Sequence, residues 1–145
     1  MSTRFLMLAK AVEALLQQGT PVAEHVERNR SRVIPAQVST AAVVRQGQAQ
    51  VDQVAGKQLH QTWLTAVLVD CYGRAQSGGA AADEVADGVL QAVQQRMQQD
   101  PSLGKLVGGI ALQGIEWDFD VDGEATACAT ATFYVRHATS AADLT

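Results

Sequence analysis

The sequence predicts an α+β domain in which a mixed or antiparallel sheet of about four or five strands carries two helices packed on one face. Three observations point there. Residues 5–16 and 80–99 repeat apolar side chains at three- and four-residue spacing, the period of a half-buried helix. Residues 110–120 and 124–137 alternate apolar and polar around an Asp-Gly pair, the pattern of a hairpin. The stretch "TWLTAVLVDCY", 62–72, is apolar on both sides, as a central strand is. With 145 residues and 47% hydrophobic composition, the chain fits one domain, 1–145, around a single core.

The first helix places Phe5, Leu8, Val12, Leu15 and Leu16 on one stripe, and Gly19 and Pro21 end it. The following polar segment has strand-like pieces around Val22–Arg28 and Ala41–Arg45, separated by Pro35. Residues 46–58 read as a flexible arm, because Gly47, Gly56 and the surrounding glutamines supply too little apolar area to offset ordering. The second face of strand 62–72 is covered within the chain or meets another subunit, and the second alternative is favoured.

In the second helix Val85, Val89, Ala92, Val93 and Met97 line one face, with Ser77 or Asp83 as possible caps and Asp100-Pro101 as the stop. A three-residue hairpin loop, Val121-Asp122-Gly123, sets Trp117 opposite Ala127 and Ile115 opposite Ala129. One face then holds Ile115, Trp117, Phe119, alternate alanines from Ala125 to Ala131, and Phe133. The alanines leave room for a helix to approach. The other face carries Glu116, Asp118, Asp120 and Glu124. Trp63, Trp117, Phe133, Leu15, Val89 and Val93 are expected in the core, and 138–145 form a loose end.

Composition excludes several function classes. A net charge of -4 without a long basic run argues against a protein that grips nucleic acid through its phosphates. No run of about 18 apolar residues exists to cross a membrane, and Lys10 and Glu13 interrupt the opening segment where a signal peptide would need an apolar stretch. Cys71 and Cys128 lack metal-ligand spacing and read as reduced, buried thiols, which suits a cytosolic origin.

The triplet Asp118, Asp120, Asp122 followed by Gly123 has the opening spacing of a calcium loop. Position twelve, where a bidentate carboxylate is required, is Ala129, and the flanks alternate where helices should stand. Hydrated carboxylates at a hairpin tip lack the burial that separates catalytic pKa values. His25, His60 and His137 have no second ligand at metal spacing, and no Gly-x-x-x-x-Gly-Lys occurs. No catalytic residue, metal or cofactor is therefore expected. Arg28, Arg30 and Arg32 alternate in "ERNRSRVIP", so an extended chain points all three the same way. They are either a solvated strand edge or a basic face that meets an acidic one on another subunit.

Over nearly its whole length the chain resembles the tail terminator (tail completion) proteins of long-tailed bacteriophages, the lambda-type minor tail family. The resemblance lies in the order of a helix, an arm with "RVIPAQVSTAAVVRQG", the Trp-led strand "TWLTAVLVDCYGRA", the helix "AADEVADGVLQAVQQRMQQD", "PSLGKLVGGIALQGIEWDFD" and "DGEATACATATFYVRHAT". It implies a non-enzymatic ring, commonly of six subunits, that caps the tail tube and presents a surface to the head. The implied partners are other copies of the chain, the tail tube protein and the head–tail connector. The implied location is the virion tail, with assembly in the host cytoplasm. Arg28, Arg30 and Arg32 of one subunit would then face Glu116, Asp118, Asp120 and Glu124 of the next. The competing expectation is a small monomeric α+β binding module whose acidic hairpin, 116–124, holds a metal or small ligand.

Overall fold

A computed structural model describes residues 2–29, 34–52, 59–119 and 125–145. The elements run α1 (Arg4–Gln17), β1 (His25–Arg28), β2 (Thr40–Val51), β3 (His60–Arg74), α2 (Ala82–Gln99), β4 (Gly109–Phe119) and β5 (Thr126–Ser140). They form a five-stranded mixed sheet in the order β1-β2-β3-β5-β4. Only the β1–β2 pair is parallel; the other three pairings are antiparallel. Both helices lie on one face, as the periodicities predict.

The helix stripes explain the core. Leu8, Ala9, Val12, Leu15 and Leu16 are the buried residues of α1, and Ala86, Val89, Val93 and Met97 those of α2. They meet Ala42, Val44, Val67, Val69, Cys71, Ala129, Ala131, Phe133 and Val135, which the period-two pleat turns to the same side of the sheet. Small residues set the spacing. An ideal Cβ on Gly73 would lie 2.2 Å from the Ala86 backbone nitrogen, so α2 rests almost directly on the β3 backbone.

The caps are less legible in sequence. Thr3 caps α1, its Oγ1 accepting from the Leu6 N–H at 3.4 Å. Neither Ser77 nor Asp83 caps α2: the N-cap is Ala81, without a side-chain bond, and Asp83 accepts from the adjacent Glu84 N–H. The C-terminal end of α1 is closed from a distance, since Arg96 of α2 donates to the carbonyls of Leu15, Gln18 and Thr20. A guanidinium there satisfies orphan carbonyls and complements the helix dipole.

Four expectations are corrected. The hairpin register pairs Trp117 with Ala129 and Ile115 with Ala131, two residues from the expected pairing. A slip of two preserves which side chains share a face, whereas a slip of one would have inverted it. Residues 46–51 of the expected arm belong to β2 and pair with β3 across an irregularity between Gln46 and Ala49; residues 53–58 lie outside the described ones. The C-terminus is tied back, with Arg4 N–H donating to the Leu144 carbonyl and Ser140 N–H to that of Thr145. Finally, Trp117 is 38% exposed rather than buried, while Trp63 is partly buried and donates through Nε1 to Thr139.

The outer face of β3 is partly covered from within the chain. Ile34 and Val38 pack with Ala41 against Tyr72, and Arg74 holds that segment by donating to the Val38 and Ile34 carbonyls. Leu64 and Leu68 further along remain partly exposed.

His137 lies at the other end of the sheet, buried on the helix side. Its Nε2 shares a 2.7 Å hydrogen bond with Thr65 Oγ1, Phe5 packs edge-on against its ring, and Nδ1 has no partner among the described residues. Burial, reinforced by the Arg4 charge, pushes its pKa down to about 4. Between that value and the usual unfolded value near 6.5 the unfolded chain binds the extra proton. Stability should therefore be flat above about pH 6.5 and fall as the pH drops towards 4. Urea titrations from pH 4 to 8 should show this loss, up to about 3 kcal/mol, and a His137→Gln variant should lose that part of the slope. Equal slopes for both proteins would contradict the assignment.

Candidate functional site

Of the residues singled out by the sequence, the described ones, Arg28, Glu116 and Asp118, fall at the two opposite edges of the sheet. Arg28 ends β1, and its Nε lies 3.6 Å from Glu13 Oε1, so this arginine is partly engaged in holding the edge strand to α1. Arg30 and Arg32 lie outside the described residues. Glu116 and Asp118 are exposed on β4, opposite Thr130 and Cys128, on the sheet face away from the helices. Asp120 and Glu124 also lie outside the described residues. With β2, β3 and β5 between them, the basic and acidic edges are four strand spacings apart, roughly 19 Å. Among the described residues, Arg28 does not meet Glu116 or Asp118 within one copy.

A polar cluster that sequence reading missed sits between these edges on the outer face. The Asp70 carboxylate accepts from Arg45 Nε at 2.6 Å and Nη2 at 2.9 Å, and from Thr130 Oγ1 at 2.6 Å. The hydrogen bonds that Arg45 donates to Asp70 raise the Arg45 pKa above its ordinary value. Asp70 is 6% exposed, so its charge is stabilised by this bidentate fork across β2, β3 and β5. The signal was available: Asp70 is the one charge within "TWLTAVLVDCY".

Neither thiol is activated. Burial raises Cys71 well above the ordinary thiol range and Cys128 to about 11, so both are protonated near neutral pH. Among the described residues, no group of three or more His, Cys, Asp or Glu converges as a metal-binding set. No described helix is long and apolar enough to cross a membrane.

The largest departure from the expected packing is on β4. The apolar side chains Ile115, Trp117 and Phe119 do lie on the helix-bearing face, yet they are 45%, 38% and 60% exposed. Helix α1 packs across β1 and β2, and α2 across β2, β3 and β5, which leaves this end of the outermost strand uncovered. The Trp117 and Phe119 rings stack at a centroid distance of 6.2 Å and an interplanar angle of 11°. Opposite them, Asp83, Glu84 and Asp87 on the first turns of α2 form the other wall of a cleft of about 550 Å³. Part of this acidity belongs to the helix, since carboxylates in a first turn complement its dipole. The paired, solvent-facing aromatic rings have no such local explanation.

No protein-family model and no curated protein matches the chain. Among solved structures, a chain from the virion of a native gene transfer agent particle has the same fold, with a TM-score of 0.57 and 15% sequence identity. The likeness covers 89% of this chain and 92% of that one.

Proposed function

We propose that this chain is a structural protein of a phage-like particle, and within it the tail terminator: a ring of copies that caps the tail tube, ends its elongation and offers a surface for head joining. The observation that carries the reading is the fold shared, over nearly the full length of both chains, with a component of a gene transfer agent virion. The order of elements that resembles tail terminators agrees with it. The placement of charge agrees too. A basic run begins at one sheet edge, and at the other carboxylates stand on both sides of β4, Glu116 and Asp118 on its outer face and Asp83, Glu84 and Asp87 across the helix-side cleft, so one copy can offer its basic edge to the acidic edge of the next, head to tail. In this reading the chain is not an enzyme and carries no cofactor. It works by contact with its own copies, the tube protein and the head–tail connector, in the host cytoplasm during assembly and then in the virion tail. Removing the chain from a cell that produces such particles tests the reading, because unterminated tubes should overrun their length and fail to join heads.

A further inference from the structure

The bare aromatic strip on β4 needs an occupant, and the chemistry around it restricts which one. A stacked Trp–Phe pair offers a π face, and three carboxylates across a cleft of about 550 Å³ offer acceptors. A guanidinium satisfies both walls at once, stacking on the rings while donating to carboxylates. An aliphatic or acidic segment would leave the carboxylate wall uncompensated. Among the described residues Arg28 is held by Glu13, Arg45 by Asp70, Arg136 by Asp52, and Arg74 and Arg96 by backbone carbonyls, while Arg4 at the start of α1 is partly buried with its Nε enclosed. Arg30 and Arg32 come two and four residues after the end of β1 in the sequence, and β1 is the edge strand opposite to β4.

We propose that the groove between Trp117–Phe119 and Asp83, Glu84 and Asp87 receives the Arg30–Arg32 segment of a second copy of this chain. The proposal rests on the ring reading above and specifies its contact. The acceptor is the helix-side groove, where water is displaced from aromatic surface, and not the hydrated Glu116 and Asp118 on the opposite face of β4. Each copy then carries a donor segment at one edge and an acceptor groove at the other, so the contact is heterologous and propagates around a ring.

Sedimentation of the full-length chain across a concentration series at low salt tests this, with Trp117 emission followed in a Trp63→Phe background. Wild type should associate with a blue shift of Trp117. The double variant Asp83→Lys/Asp87→Lys and the double variant Arg30→Glu/Arg32→Glu should each weaken association at least about tenfold while keeping the wild-type circular dichroism. An equimolar mixture of the two should associate again, because the intact arginines of the first fit the intact groove of the second. Glu116→Lys/Asp118→Lys should associate as wild type does. A wild-type chain that stays monomeric into the millimolar range with unchanged Trp117 emission overturns the proposal, as does unimpaired association of either double variant. If the groove variant assembles normally but no longer caps tubes, the occupant is the tube protein and the second-copy assignment is wrong. Normal tail length supported by a groove variant that cannot self-associate would overturn this contact while leaving the terminator reading standing.

Discussion

Gly73→Ala should lower stability by about 3 kcal/mol, at the upper end of overpacking effects, because the added methyl has nowhere to go. Its ideal position is 2.2 Å from the Ala86 nitrogen, 2.7 Å from the Ala82 carbonyl oxygen and 2.8 Å from the Ala86 Cα. These are backbone atoms of α2, fixed by helical hydrogen bonds, so the clash cannot be relieved by a rotamer change. The helix must lift, and Val89, Val93 and Met97 would lose contact with the sheet. Gly88 is the matched control: it lies on the exposed side of the same helix, and a Cβ there meets nothing within 4 Å among the described residues. Gly88→Ala should stabilise by up to about 1 kcal/mol through helix propensity. Urea unfolding of both variants checks the pair, and a Gly73→Ala protein as stable as wild type would mean that α2 is not seated on β3.

Phe133→Ala should cost about 3–5 kcal/mol. Phe133 is fully buried on β5, paired with Val67 of β3 on one side and Leu112 of β4 on the other, beneath the helices. Removing the ring leaves a cavity that strands on both sides cannot close without breaking register. Its neighbour Tyr134 points to the other face and is 39% exposed, so Tyr134→Ala should cost less than about 1 kcal/mol. Similar losses at the two positions would contradict the face assignment of β5, on which both the core and the groove depend.

These two residues also mark what the sequence made legible. Period-two alternation placed Phe133 inside, and the 3.6-residue period placed Val89 and Val93 on the buried face of α2, because both signals are local and set by the pleat or helical turn. The alternate alanines correctly implied a close helix, although Gly73, the tightest point, gave no period-based signal. Hairpin register was not legible in the same way. Ala127, Ala129 and Ala131 are alike in size, so a two-residue slip leaves the apolar face equally apolar. The strand continuing through Gln46–Val51 was missed because its glutamines and Gly47 carry little apolar pattern, and its order comes from pairing with β3.

The candidate site was the least readable part, for a physical reason. Hydrophobicity predicts that Trp117 and Phe119 seek cover, but whether a helix supplies it depends on how many strands two helices can span. Here the cover stops short of the outer end of β4. Glu116 and Asp118 do stand on β4, but attention to them passed over Asp83 and Asp87, which only the fold brings across from the aromatic rings. Asp70 was a visible anomaly in an apolar run, and its partner Arg45 comes from a different strand.

The proposed role in ending tail growth is measured most directly by the length distribution of tails. Electron micrographs of particles from cells lacking the chain should show tubes of broad, extended length without heads, and resupplying the chain should restore one narrow length and head joining. Tails of unchanged length, joined to heads in the absence of the chain, would contradict the account.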